Sequence, residues 1–209
     1  MKKLLTLFFV ITGLLLATMQ IARANDGRNP VEMLQVLANR MIDSLKANKA
    51  ALKSNPDKAY SLAYNIIVPR ADIAEMSKRV LPPQAWNNAT HAQRTKFEKE
   101  FTKLLIRTYA SALSDYENQT IKFFPVRGGY EGKTTITVSS QITRSDGSPL
   151  GVNYSLIYKS GWKVYDMTVE GISLLESFRS QFADKLSQGN MDNLINEIEK
   201  HNAKHSGLS

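Results

Sequence analysis

One long amphipathic stretch, Thr90 to Glu117, limits the folds open to this chain more than any other segment. Its capping box, Thr90 followed three residues later by Gln93, marks a helix start. Its apolar stripe recurs at the helical steps of three and four and consists of Phe97, Phe101, Leu104, Leu105, Thr108, Ala112 and Tyr116. At about 1.5 Å per residue this helix would run roughly 40 Å. The pattern therefore predicts one long helix that forms a wall of the domain.

The first residues have the pattern of a secretory signal peptide. Lys2 and Lys3 precede an apolar run from Leu4 to Ala17, and a small-residue cleavage site ends at Ala24. The alternative is an uncleaved membrane anchor, because the apolar stretch is barely long enough to span a bilayer. The small-residue site favours cleavage, so we predict a signal peptide over residues 1–24.

Removing 24 of the 209 residues leaves 185, which suits a single domain over residues 25–209, with residues 201–209 as a flexible tail. The chain has no cysteine, which excludes disulfides, thiol catalysis, cysteine zinc sites and a lipoprotein anchor. The net charge of +8 falls to about +5 without the leader's three basic residues. In an exported protein a basic surface suits anionic lipid or acidic protein partners, or it serves solubility alone. We expect no nucleic acid partner, because an exported protein does not meet nucleic acid in the cytosol.

Helical patterns separated by prolines precede the long helix. Asn29-Pro30 fits a cap followed by a first helical residue, and Pro56, Pro69 and Pro82-Pro83 punctuate the pieces that follow. After the long helix the period changes from 3.6 to 2, which is typical of strands. This order predicts an α+β fold: N-terminal helices, an antiparallel sheet of about four strands and C-terminal helices.

The strand patterns have distinct features. Residues 119–126 and 134–143 are strand-like, and Asp146-Gly147 is a turn signal that joins the second of these to the next strand as a hairpin. In the last strand, residues 162–169, both faces carry apolar residues, which indicates either a strand covered on both sides or a bulge. Ser173 with Glu176 forms a second capping box, which predicts a helix after the sheet.

Catalytic patterns are absent from the sequence. No nucleophile elbow, phosphate loop, dinucleotide fingerprint or calcium loop is present, and the histidines His91, His201 and His205 do not form a metal pair in a core helix. Asp166 and Glu170 are four apart on an apolar strand, and a small exported enzyme could use them as an acid and base. They would lie about 13 Å apart, so capping or ion-pair roles are favoured. We predict no enzyme activity, no cofactor and no bound metal.

Several blocks along the mature chain belong together: Trp86, Gln93-Arg94, Phe97, Phe101, Leu104-Leu105, Arg107-Thr108-Tyr109-Ala110, Tyr116, Gly161-Trp162-Lys163-Val164-Tyr165-Asp166, Val169-Glu170-Gly171-Ile172-Ser173 and Phe178-Arg179-Ser180-Gln181-Phe182. They resemble the MlaC family of toluene-tolerance auxiliary proteins, and the resemblance covers nearly the whole mature chain. It implies a fold like nuclear transport factor 2, with a curved sheet. It also implies a monomeric periplasmic carrier that binds glycerophospholipid as cargo. Its expected partners are an outer-membrane lipoprotein complex and an inner-membrane ABC-transporter complex with a ring of MCE domains. An exported adaptor or chaperone of the same fold remains the alternative.

The expected lipid pocket lies between the long helix and the sheet. Its predicted lining consists of Leu105, Tyr109, Leu113, Val138, Tyr154, Tyr165, Met167, Val169 and Ile172. Tyr109 and Ile172 are the strongest candidates because both lie in family-like blocks, and Ile172 is at a strand-to-helix corner where a mouth could open. Apolar residues at such spacings also form ordinary core, which is the competing interpretation for each of them.

Overall fold

The computed structural model describes residues 29–55, 57–114 and 119–204, so the predicted signal peptide lies outside the described residues. The helices in chain order are α1 (Pro30–Ala47), α2 (Lys49–Ser54), α3 (Asp57–Ile66), α4 (Ile73–Val80), α5 (Pro83–Asn88), α6 (His91–Ser114), α7 (Leu174–Gln188) and α8 (Met191–Lys204). A short 3₁₀ helix, Val68–Arg70, links α3 to α4. The predicted α+β fold is confirmed.

The sheet follows α6 and is antiparallel throughout. Its strands are β1 (Thr120–Phe123), β2 (Thr135–Thr143), β3 (Pro149–Tyr158), β4 (Trp162–Val169) and β5 (Ile172–Ser173), and each lies beside its neighbour in sequence. The predicted hairpin is formed by β2 and β3, with Thr143 opposite Pro149 and Gly147 at a φ of 81° in the turn. That positive φ is readily adopted by glycine, which explains why the turn signal is reliable.

The predicted helix starts are confirmed by their caps. Asn29 Oδ1 accepts hydrogen bonds from the backbone N–H groups of Val31 and Glu32 at 3.0 and 3.2 Å. At the start of α6 the capping box is complete, since the Gln93 N–H donates to Thr90 Oγ1 at 3.2 Å and the Thr90 N–H donates to Gln93 Oε1 at 2.9 Å. Each cap satisfies backbone groups that a first helical turn leaves unpaired.

The buried apolar side chains of the described residues form separate clusters. The helical cluster joins α4, α6, α7 and α8 around the rings of Phe97, Phe101, Phe178 and Phe182. The sheet cluster packs Met33 and Leu34 of α1 against β2, β3 and β4. The amino-terminal cluster joins α1, α2 and α3. The main contacts of α6 are with α8, α3 and α4, whereas α1, α4 and α7 make the main helix contacts to the sheet. The long helix is thus a wall of the helical half.

Five features differ from the sequence prediction. The sheet has five strands among the described residues, because β5 is only two residues long and too short to show a period. Helix α5 was not predicted, and it begins directly after Pro82 with Pro83 in its first turn. The strand predicted over residues 119–126 is shorter and covers only Thr120–Phe123. Thr108, which was predicted to lie on the buried stripe of α6, is exposed. Residues 201–204, assigned to a flexible tail, continue α8.

A buried contact explains the longer α8. The Asn202 side chain, 4% exposed, donates hydrogen bonds to the carbonyl and the carboxylate of Glu100 on α6, both at 3.0 Å. Lys103 pairs with the same carboxylate at 2.8 Å. A buried carboxylate needs such partners because desolvation disfavours its charge. These bonds stabilise the last turn of α8, which the polar sequence alone does not predict.

A β-bulge in β4 resolves the two-sided apolar pattern of that strand. Leu156 of β3 lies opposite Val164, but Ser155 lies opposite Asp166, so Tyr165 is the extra residue. As a result Met167 follows Val164 onto the same face of the sheet. Tyr165 packs instead against the helical cluster, with the Arg79 guanidinium 4.3 Å from its ring centroid.

Among the described residues, no helix combines the length and the apolar character that a bilayer crossing requires.

The first prediction concerns Phe101, which is fully buried. Its ring centroid lies 5.4 to 5.7 Å from the ring centroids of Phe97, Phe178 and Phe182. We expect Phe101→Ala to lower the free energy of unfolding by about 3–5 kcal/mol through lost burial and a cavity. Phe124→Ala, at a side chain 37% exposed, should cost no more than about 1 kcal/mol. Urea unfolding measures both, and Phe101→Leu gives an intermediate value if the alanine variant does not fold. Equal losses at the two positions would contradict the packing described.

Candidate functional site

The face of the sheet that turns toward α1, here called the inner face, is almost wholly apolar. Strand pairing places on it Phe123, Ile136, Val138, Ser140, Val152, Tyr154, Leu156, Trp162, Val164, Met167 and Val169. The opposite face of β2 carries Thr135, Thr137, Gln141 and Thr143, all exposed. This division is that of an antiparallel sheet with one covered face and one solvated face.

Several of the predicted pocket residues come together on the inner face. Val138 lies opposite Tyr154, and Tyr154 lies opposite Met167, so the three form one row across β2, β3 and β4. Val169 lies in the neighbouring row opposite Val152. Met167 and Val169 reach this face only because the bulge restores their alternation. Four of the nine residues predicted from the sequence therefore form one patch.

The row that contains Val169 continues to the edge of the sheet. Val152 is 3% exposed, Val169 is half-buried, and Ile172 lies opposite Val169 and is 67% exposed. The turn between β4 and β5 consists of Glu170 and Gly171, whose φ values of 49° and 86° fit a tight hairpin turn. An apolar row thus runs from the interior to a solvent-exposed isoleucine at the sheet edge.

A pair of hydroxyl groups lies within the apolar inner face. Ser140 is 3% exposed, and its Oγ lies 3.5 Å from the hydroxyl oxygen of Tyr154, which is a weak hydrogen bond. Burial raises the pKa of Tyr154, and the contact with Ser140 lowers it to a smaller extent. The two hydroxyls can offer hydrogen bonds to a polar group of a ligand that is otherwise apolar.

The other predicted pocket residues lie elsewhere. Leu105 is buried in the helical cluster, Leu113 packs against the amino-terminal cluster, and Tyr165 lies beneath Arg79. Tyr109 is 36% exposed, and burial of its ring raises its pKa. It lines a groove of about 630 Å³ between α6, α7 and α8. The described contacts therefore do not bring these four side chains onto the inner face.

Asp166 and Glu170, the acid and base of the enzyme alternative, have structural partners. Asp166 accepts hydrogen bonds from the Ser173 hydroxyl at 2.7 Å and from the Leu175 N–H at 3.2 Å, at the start of α7. Glu170 is exposed and lies 3.7 Å from Arg144. Within the described part of the chain, no group of three or more His, Cys, Asp or Glu side chains could hold a metal ion.

Seven of the inner-face residues given above were not among the predicted pocket residues: Phe123, Ile136, Ser140, Val152, Leu156, Trp162 and Val164. Ser140 shares the even-numbered positions of Val138 and Ile142, so the strand alternation could have placed it, but a serine does not stand out in an apolar pattern.

Comparisons with known proteins agree on one family. The family model for the MlaC protein matches residues 35–200. Toluene tolerance protein ttg2D of Pseudomonas putida is 32% identical over 166 residues, which cover 79% of this chain and 76% of that protein. The intermembrane phospholipid transport system binding protein MlaC of Haemophilus influenzae is 28% identical over 210 residues, which cover 96% of this chain and 93% of that protein.

A solved structure is also similar. It is that of the phospholipid-binding protein from Ralstonia solanacearum in complex with a phospholipid. The two proteins are 29% identical with a TM-score of 0.78, and the match covers 85% of this chain and 99% of that one.

Tyr154 gives a prediction about pH. Its folded pKa is raised above the ordinary value of 10.0, so the unfolded chain loses this proton first as the pH rises. The stability that this shift contributes is therefore fully present below about pH 10 and is lost as the pH rises through the folded pKa. Unfolding measured from neutral pH upward should show the wild type losing stability more steeply than Tyr154→Phe in the alkaline range. Parallel curves would contradict the burial of this hydroxyl.

Proposed function

Because the chain belongs to the MlaC family, we propose that it is a periplasmic carrier that binds a glycerophospholipid and passes it between membrane complexes. The expected complexes are an outer-membrane lipoprotein complex and an inner-membrane ABC-transporter complex with a ring of MCE domains. In this role the protein would help to keep phospholipid out of the outer leaflet of the outer membrane. It would carry lipid as cargo, without a cofactor and without catalysis.

The observation that carries this proposal is the apolar row on the inner face. It leads from buried Val152 through Val169 to exposed Ile172, and it lies beside the patch of Val138, Tyr154 and Met167. A phospholipid bound to the Ralstonia relative supports the same ligand class for this chain. The inner face supplies the apolar surface that acyl chains require, and its open edge supplies a route for their entry.

The energetics of transfer explain why a carrier needs an enclosed face. At about 0.8 kcal/mol per CH₂, two acyl chains with about 30 methylenes would cost on the order of 20 kcal/mol to expose to water. A bilayer and an apolar pocket solvate the chains alike. Transfer between them therefore avoids most of the free-energy cost of exposing the chains to water. The carrier then needs only a small affinity difference from the complexes that load and unload it. The polar headgroup can stay in contact with water.

The proposal is tested on the mature protein purified from bacterial cells without detergent. Organic extraction followed by mass spectrometry should recover phospholipid at near-stoichiometric amounts, because acyl chains held on the inner face do not partition into water. Native mass spectrometry of the same sample gives the number of lipids per protein. Absence of phospholipid after several gentle preparations would contradict the carrier and favour the adaptor or chaperone alternative.

Ile172→Glu tests the route of entry. The side chain is 67% exposed, so a carboxylate there remains solvated and the protein should fold. Acyl chains that pass this edge would have to desolvate the charge, so we expect bound phospholipid to fall at least about tenfold. Tyr109→Glu tests the other strong pocket candidate from the sequence, which lines the groove between α6, α7 and α8.

The matched control is Phe124→Glu, because Phe124 is 37% exposed and its ring lies beside Lys122, which alternates with inner-face Phe123. Circular dichroism and the unfolding midpoint check that all three variants are folded. Phospholipid at the wild-type level in folded Ile172→Glu would show that this edge is not the mouth.

A further inference from the structure

The groove between α6, α7 and α8 is a second apolar surface, separate from the inner face. Its volume of about 630 Å³ lies within the roughly 300–1,000 Å³ of typical binding pockets. Its floor is apolar and consists of Leu104, Phe178, Phe182, Leu194 and Ile198, each 2% to 8% exposed. All five belong to the helical cluster, so the packing of that cluster fixes the shape of the floor. The groove is therefore preformed.

One wall of the groove is a straight row of exposed side chains on α7. Ser177, Gln181 and Lys185 recur at steps of four, so the row extends about 12 Å along the helix. The Ser177 hydroxyl donates to the carbonyl of Ser173 at 2.8 Å, and the Gln181 amide donates to the carbonyl of Ser177 at 2.9 Å. Both side chains lie back along their own helix and leave the groove open. A length of two helical turns matches the i, i+4 and i+7 side chains that a docked helix places in a groove.

The wall formed by α8 is basic. Lys200 and Lys204 line the groove there and are exposed. Within the described part of the chain neither of these lysines has a carboxylate partner, whereas Glu197 of the lining pairs with Lys185 at 2.7 Å. The carbonyl end of α8 carries roughly half a negative charge, which is less than the two ammonium groups supply. The groove is thus apolar along its floor and positive along one wall.

An open groove of this composition suits a helix better than an acyl chain. An acyl chain lying in it would leave methylene groups in water, which is unfavourable. An amphipathic helix places its apolar stripe on the floor and keeps its polar face hydrated. Carboxylates at the border of that stripe would lie close to Lys200 and Lys204 and be attracted by them, whereas basic residues there would be repelled.

We propose that the groove between α6, α7 and α8 binds an acidic amphipathic helix of a partner protein. The groove lies beside the proposed lipid route, because Ile172 and the cap Ser173 directly precede α7 and Ser177 follows one turn later. A helix seated here would bring the partner to the edge where the lipid enters. The same groove would serve the adaptor alternative equally well.

Site-specific photo-crosslinking of the full chain in its native cells tests the proposal. The photoreactive residue p-benzoylphenylalanine replaces Gln181 in the wall of the groove or, as a control, Thr137 on the exposed face of β2. We expect a covalent adduct with another protein from position 181 and none from position 137. Mass spectrometry of the adduct should map the contact to a segment with net negative charge and apolar residues at steps of three and four.

Charge reversal on α8 tests whether its lysines recognise the partner. Lys200→Glu/Lys204→Glu should lower the yield of the adduct at least about tenfold, because like charges then face the carboxylates of the partner. The matched control is Lys46→Glu/Lys49→Glu, which reverses the same charge at exposed lysines outside the groove and should leave the yield unchanged. Circular dichroism and the unfolding midpoint check folding. Lys200→Gln/Lys204→Gln replaces the reversed variant if that variant does not fold.

Each contrary outcome overturns the proposal on a different ground. No adduct from position 181, or the same adduct from position 137, would show that no partner docks in the groove. An adduct with a second copy or with residues 205–209 of the chain would identify a different occupant. A mapped segment that is basic, or a yield that the lysines do not affect, would contradict an acidic helix. Loss of bound phospholipid from the folded lysine variants would make the groove part of the lipid pocket. Absence of phospholipid from the wild type would instead contradict the carrier, and the crosslinking result would still decide the docking proposal.

Discussion

One carboxylate joins the sheet to the helices that follow it. Asp166 accepts hydrogen bonds from its neighbour's N–H, from the Ser173 hydroxyl and from the Leu175 N–H, all within 2.7 to 3.2 Å. A negative charge at the start of α7 is favoured because the unpaired N–H groups of that end carry partial positive charge. Helix α7 then brings Phe178 beneath Phe101 of the long helix. These hydrogen bonds of Asp166 fix the position of the helical half relative to β4. The bulge beside Asp166 determines which side chains of β4 lie on the inner face.

The division of the apolar side chains into clusters is consistent with a domain that must enclose cargo. A protein stabilised by a single continuous core has little space to give to a ligand, because interiors are packed at nearly crystal density. Here the rings around Phe101 stabilise the helical half, while Met33 and Leu34 cover part of the inner face. Under the proposed function, the helical half supplies stability and the inner face binds the cargo.

The surface charges contribute little to stability but are suited to the proposed ligand. Pairs such as Lys96 with Glu199 and Lys185 with Glu197 are about half exposed, and pairs of that kind are worth roughly 0–1 kcal/mol each. The basic surplus is more useful for attracting anionic lipid.

The sequence alone determined the features that depend on near neighbours: the period of α6, its capping box, the Asp146-Gly147 turn and the α+β order. It also grouped Val138 with Tyr154, which the hairpin pairs, because strand alternation and the turn are local. The bulge at Tyr165, which brings Met167 and Val169 onto the inner face, the two-residue strand β5 and the Asn202 contact were decided by the tertiary structure. These features depend on which distant segments pack together, and the local spacing of residues in the sequence does not predict that packing.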